Sequence, residues 1–155
     1  MQHAFPQFQH QTLLITALTH RSALNEKISS SSESNERLEF LGDAVLQLVV
    51  SDYLYQRFPH EQEGILTVYR SALVKTTTLA EVAQEIGLGE RLYMSKGEES
   101  SKGRQNVSLL ANAFEALIGA LYLDQGIATV RQLLDQLLLP RIELIVQKQL
   151  YKHAK

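Results

Sequence analysis

Glu36, Glu39 and Asp43 stand in a run whose other residues are mostly apolar, Asn35–Leu46, with the sequence NERLEFLGDAVL. On a helix, at about 100° per residue, the three carboxylates fall within about 60° of one another. Leu38, Leu41, Val45, Leu48 and Val49 fill the opposite side, so this helix should be central and buried. Phe40 is left beside the acids. Asn112 and Glu115, three residues apart, share a face of a second helix. Ser108, Ala116 and Gly119 flank them, and small residues there let another helix approach closely. Gly42 offers the same on the first helix, at about 1 kcal/mol of helix propensity lost relative to alanine.

Acids placed in this way repel. Like charges at i,i+4 destabilise a helix by about 0.2–0.5 kcal/mol even in water, and partial burial raises the cost. A cation is needed, and Arg37, about 100° round the helix from Glu36, points sideways. A metal ion held between the two helices answers the need. Glu39, Asp43, Asn112 and Glu115 supply oxygen donors with no His or Cys among them, a set suited to Mg²⁺, with Mn²⁺ as a substitute. A pair of acids on a helix is ordinarily a solvated face, and that reading stays open for Glu36. Asn112 alone would ordinarily be a core or cap residue. The histidines at 3, 10, 20, 60 and 153 lie outside the acidic helices or at the termini, and His20 reads as a structural turn residue. The serine run has no glycine to make a phosphate loop, and no GxSxG or Walker pattern occurs.

The elements that must position these residues are helical throughout. Helix-like spacing covers residues 11–19, a turn 20–25, and a flexible serine-rich loop 28–34, from which Ser34 or Asn35 can cap the next helix. The first acidic helix runs from Asn35 to about Phe58 and is stopped by Pro59. Helices follow over about 61–73 and 77–86, the latter ended by Gly87. Residues 93–103 read as a polar, mobile loop, flanked or occupied by Arg91, Lys96, Lys102 and Arg104, which could meet phosphates or simply face solvent. The second acidic helix covers about 106–124 and stops at Gly126. A last helix, about 129–148, is broken or kinked at Pro140. No stretch alternates as a strand would, so the fold class is all-α in a single domain.

Composition bounds the function. The 155 residues suit one core, and 45% hydrophobic with 21% charged residues is ordinary for a globular protein. The absence of cysteine excludes disulfides, zinc–thiolate sites and a thiol nucleophile, and fits a cytoplasmic setting. No signal peptide is visible, and the longest apolar runs are interrupted by Asp43, Asp52 and Glu115, so no membrane span is expected. A net charge of −2 argues against a nucleic-acid binder, unless metal ions neutralise the acids or another module carries the basic surface.

The run NERLEFLGDAVL resembles the signature of the ribonuclease III family. Ala17–Ser22 (ALTHRS), the segment from Glu63 to Val74, and Ala113–Gly126 (AFEALIGALYLDQG) resemble further family segments, so the likeness covers most of residues 10–148. The resemblance implies the all-α ribonuclease III endonuclease domain fold, assembled as a symmetric homodimer. It implies Mg²⁺-dependent hydrolysis of double-stranded RNA, leaving short 3′ overhangs, in RNA maturation or decay. It places the metal-binding carboxylates at Glu39, Asp43 and Glu115, with Asp43 and Glu115 the first choices for loss of activity. Glu36 and Glu63 match further acidic positions at the edge of the site or near the RNA. Phe40 matches an aromatic that packs into the partner subunit. The family usually has Asp where this chain has Asn112, whose carbonyl oxygen can still bind Mg²⁺ directly or through water. Family members commonly carry a double-stranded-RNA-binding domain after the nuclease domain; about 15 residues follow Pro140, too few for one within this sequence. Two rival readings stand beside this one. A catalytically weakened RNA-binding or assembly module of the same fold is supported by Asn112 alone. A di-iron helical bundle needs Glu-x-x-His pairs, and no Glu here has His three residues later.

Overall fold

The computed structural model describes residues 5–154, with side chains to Lys152; His3 and the side chain of His153 lie outside the described residues. Ten α-helices are formed among them: α1 (Gln11–Ala17), α2 (Ala23–Glu26), α3 (Glu36–Arg57), α4 (Glu63–Val74), α5 (Thr76–Glu85), α6 (Leu88–Arg91), α7 (Lys96–Ser100), α8 (Val107–Gln125), α9 (Ile127–Leu137) and α10 (Ile142–Ala154). No strand is present among the described residues. The nearest thing is a single bridge between Thr19 and Tyr93, where Tyr93 N–H donates to Leu18 O at 2.8 Å and His20 N–H to Tyr93 O at 2.9 Å. The all-α expectation holds.

The centre of the fold is the α3–α8 pair. The buried residues of α8 include every position from Leu110 to Leu121 except Asn112 and Glu115. Asn106 caps α8, its side-chain oxygen accepting Leu109 N–H at 2.9 Å. Gly126, at φ +89°, ends it. That length and apolarity would suffice to cross a membrane, contrary to the expectation from sequence, but most of the helix is enclosed by its neighbours. Its apolarity serves the core. α1, α5 and α9 also pack on α8, and α4 on α3.

Gly42 and Gly119 are what let α3 and α8 touch. A Cβ on Gly42 would overlap the Glu115 carbonyl and lie 2.9 Å from Gly119 N; one on Gly119 would overlap the Leu38 carbonyl. The obstacles are backbone atoms, which cannot step aside as a flexible side chain does.

Several local expectations are corrected. Asn35 does not cap α3 with its side chain; its amide donates to Ala17 O at 3.1 Å and its backbone N–H to Thr19 O at 2.8 Å, fastening α3 to the end of α1. The Ser34 hydroxyl takes the Glu36 N–H at 3.3 Å instead. The expected turn over 20–25 includes the single helical turn α2. The stretch 93–103 is not all loop, although most of it is exposed, and Met94 and Gly103 are its buried anchors. It contains α7, Met94 is fully buried, and the Arg104 guanidinium donates to the Gly89 and Leu92 carbonyls at 2.8 Å each and to Glu99 at 3.1 Å. The last helix begins at Ile127 and is divided by a 3₁₀ turn at Leu139–Arg141, where Pro140 falls. Leu48, expected in the core, is 61% exposed.

The chain before α1 is strapped to the end of α8. Asp124 accepts the Gln9 and His10 backbone N–H groups at 2.8 and 3.0 Å, and its carboxylate also meets His10 Nδ1 at 2.7 Å and Gln125 Nε2 at 2.9 Å. Burial alone would raise the pKa of this carboxyl; the hydrogen bonds prevail and hold it well below the usual carboxylate range.

The glycine crossing predicts a contrast between two alanine substitutions. Gly42→Ala should cost about 2 kcal/mol or more and lower the melting temperature by roughly 5 °C or more. Gly64→Ala, whose new Cβ meets nothing within 4 Å, should leave stability within about 1 kcal/mol of wild type or raise it. Thermal and urea denaturation of both variants checks this.

Candidate active site

The acidic residues of α3 and α8 meet at the glycine crossing. Seating Gly42 against the Glu115 backbone sets Asp43, the next residue of α3, beside the Glu115 side chain. The two carboxyls lie within hydrogen-bonding reach, and Glu115 also senses the charge of Glu39. Burial, reinforced by Asp43 and then by Glu39, pushes the Glu115 carboxyl up to about 8. The Glu39 carboxyl is raised as well, by burial first and then by Glu36 and Asp43. No salt bridge among the described residues reaches Glu36, Glu39, Asp43 or Glu115. Arg37, the cation nearest in sequence, pairs with Glu33 at 3.5 Å.

The predicted site residues therefore divide. Glu39, Asp43 and Glu115 come together. Asn112, one turn before Glu115, is exposed and lines a cavity of about 410 Å³ shared with Glu36 and Glu39. Glu36 sits at the rim, its carboxylate accepting the Ser34 hydroxyl at 2.9 Å. Glu63 is not part of this cluster. It opens α4 beyond the C-terminal end of α3, and about 20 Å of helix separates Asp43 from that end. Phe40 is 82% exposed, facing away from the core of its own chain.

The donor set fits a hard divalent cation. All the candidate ligands are oxygens, neighbouring carboxylates raise the proton affinity of Glu39 and of Glu115, and among the described residues no salt bridge offsets them. Among the described residues no three Asp, Glu or His side chains already surround a single point. Asp43 and Glu39 both act on the Glu115 carboxyl.

Three further residues of the cavity were not singled out from the sequence. Arg21 and Glu98 line it, as does His20, read from sequence as structural only. His20 and Arg21 come from the loop after α1 and Glu98 from α7, so their convergence depends on long-range pairing, although His20 and Arg21 lie within the ALTHRS segment. The cations of the 91–104 region are differently employed. Arg104 is spent on carbonyls and Glu99, and the Arg91 guanidinium stacks 4.0 Å from the Phe5 ring.

The raised Glu115 carboxyl makes a prediction for the metal-free protein. Folded Glu115 holds its proton up to about 8, whereas an unfolded glutamate releases it near 4.3. Between those values the folded state binds more protons, so stability falls as pH rises through that window. Melting temperature in chelator should decline from pH 5 to pH 8 more steeply for wild type than for Glu115→Gln.

Comparison with known proteins agrees with this geometry. Residues 10–142 match the Ribonuclease-III-like family. The ribonuclease 3 of Geobacillus thermodenitrificans is 52% identical over 136 residues, which cover 88% of this chain and 55% of that protein. The Chloroflexus aggregans ribonuclease 3 is 50% identical over 137 residues, 87% of this chain and 60% of the relative. The chain thus spans a little over half the length of these relatives. Among solved structures, the nuclease domain of ribonuclease III from Campylobacter jejuni superposes with a TM-score of 0.78 at 42% identity, covering 84% of this chain and 87% of that one. Dicer from Pichia stipitis gives 0.68 at 32% identity, over 93% of this chain and 61% of that one. With a family match across most of its length and the acid cluster seated on the family's signature helix, this chain belongs to the ribonuclease III family.

Proposed function

We propose that this chain is the nuclease domain of a metal-dependent endoribonuclease that hydrolyses double-stranded RNA as a homodimer in the cytoplasm. The observation that carries the reading is the set of carboxylates, Glu39, Asp43 and Glu115, at the glycine crossing, with no salt bridge to offset them among the described residues. Glu39, Asp43, Glu115 and the Asn112 carbonyl would hold Mg²⁺, or Mn²⁺ in its place; when bound, it supplies an activated water and stabilises the developing charge on the leaving 3′-oxygen.

The chain's own residues do the rest. Asp43 and Glu115 must both be ionised to act as ligands, so the proton that Glu115 keeps near neutrality is given up as the site fills. Asn112 contributes an oxygen without charge, which lowers the repulsion among the ligands and also the attraction for the ion. Phe40, 82% exposed, begins a ridge on α3 with Ala44, Leu48 and Tyr55, all exposed at helical spacing. That ridge suits a two-fold contact with a second copy, and Glu63 then falls at the edge of the shared valley. Duplex RNA would be read by shape, since its deep groove admits no side chains, and one cut in each strand would leave short 3′ overhangs.

The reading predicts cleavage of a long labelled RNA duplex at low salt in Mg²⁺, none in chelator, and none of single-stranded RNA. Asp43→Asn and Glu115→Gln should each lower the rate by about 10²-fold or more, on the scale of an electrostatic contact at a reacting phosphate. An intact protein that binds duplex RNA but cuts it in neither Mg²⁺ nor Mn²⁺ would favour the binding-module reading, for which Asn112 is the support, and Asn112→Asp would then be the first reversion to make.

A further inference from the structure

The cavity beside the acids has a cationic wall that metal binding does not use. We propose that Arg21, together with His20, grips a backbone phosphate of the RNA strand next to the one being cut and so positions that strand. The proposal rests on the nuclease reading above and deepens it.

Arg21 is the arginine that the fold leaves free. The other arginines are each occupied: Arg37 with Glu33, Arg57 with Glu143, Arg70 with Ser51, Arg91 on Phe5, Arg104 on carbonyls and Glu99, Arg131 with Asp52 and Asp135, and Arg141 with Glu81 and Glu85. Among the described residues Arg21 makes no side-chain hydrogen bond or ion pair, although Glu36, Glu39 and Glu98 line the same cavity. A cavity that holds both unpaired carboxylates and an unpaired guanidinium is built for a ligand with both signs of charge. A phosphodiester accompanied by a metal ion is such a ligand: the ion goes to the carboxylates, the phosphate oxygens to the guanidinium fork.

His20 is held as a hydrogen-bond donor to the same space. Its Nδ1 accepts the Ser22 N–H at 3.2 Å and lies 2.8 Å from the Ser22 hydroxyl. That hydroxyl oxygen accepts the Ser95 N–H at 2.9 Å, leaving its own proton for Nδ1. With Nδ1 an acceptor, the ring proton is on Nε2. His20 lines the cavity beside Arg21, so Nε2–H and the guanidinium form one donor wall. The imidazole is held in place, because His20 N–H is fixed to Tyr93 O at 2.9 Å and its Nδ1 to Ser22, itself fixed to Ser95. A donor already held costs little ordering entropy when the strand arrives, and Arg21 adds the charge.

The test is binding of a labelled RNA duplex in Ca²⁺, followed by anisotropy across a range of salt concentrations, for wild type, Arg21→Ala, Arg21→Lys and His20→Gln. Arg21→Ala should weaken binding about tenfold or more at low salt and flatten the salt dependence by about one unit of slope per arginine. Arg21→Lys should restore the slope and only part of the affinity, because it keeps the charge and loses the fork. His20→Gln, which keeps an N–H near the Nε2 position, should bind more like wild type than like Arg21→Ala. Melting temperature should be unchanged in both Arg21 variants, since Arg21 is exposed, and Mn²⁺ affinity by calorimetry should not fall in either, since Arg21 donates no ligand to the metal. Equal affinity and slope for wild type and Arg21→Ala would overturn the proposal while leaving the nuclease reading in place. So would Arg21→Lys binding as weakly as Arg21→Ala. Wild type that neither binds nor cuts duplex RNA would overturn the nuclease reading itself.

Discussion

The close crossing of α3 and α8 is the contact on which the rest of the molecule depends. Gly42 and Gly119 remove the side chains that would hold the two backbones apart. The two helices then make the most extensive packing in the fold, and α1, α5 and α9 build the core around α8. The same contact fixes the chemistry. Asp43 follows Gly42 directly, and the Glu115 carbonyl is the atom a Cβ on Gly42 would strike. Core packing and carboxylate placement are therefore one constraint, and neither can be altered without the other.

That constraint leaves the metal-free protein carrying an electrostatic load. Desolvation and mutual repulsion push Glu115 up to about 8 and raise Glu39, and no salt bridge relieves them among the described residues. Partly burying Glu39 and Glu115 without a partner for their charge costs stability and is not what a purely structural contact needs. Asn112 moderates the load, since a carboxylate at that position would add one more like charge to the same cavity. The fold tolerates the cluster because α8 is buried at every position from Leu110 to Leu121 apart from Asn112 and Glu115, and because Leu38, Val45, Leu46, Val49 and Val50 of α3 are buried with it.

Much of the fold could be read from the sequence, and for a physical reason. The helix lengths follow from apolar periodicity and from stops at Pro59 and Gly126, both local signals. The acidic cluster was legible because carboxylates three and four residues apart among apolar neighbours are costly unless a cation joins them, and because Gly42 and Gly119 marked where helices could meet. What escaped was non-local. The segment 93–103 looks polar and loose in one dimension; it is ordered because Arg104 finds carbonyls from another turn and Met94 finds the core. His20 looked structural, and its Nδ1 is; only the pairing of Leu18–His20 with Tyr93 brings His20 and Arg21 to the cavity. Leu48 looked like core on a helical wheel, yet it lies on the exposed ridge with Phe40. An apolar residue on a helix does not reveal whether its own chain or another one covers it.

The central claim is that Glu39, Asp43, Asn112 and Glu115 form one divalent-cation site created by the helix crossing. The most direct measurement is anomalous diffraction from crystals of the protein soaked in Mn²⁺. The account predicts an anomalous peak between α3 and α8, bounded by these four side chains, that is lost in Glu115→Gln. Well-diffracting crystals with manganese elsewhere, or with no peak at the crossing at saturating Mn²⁺, would contradict it.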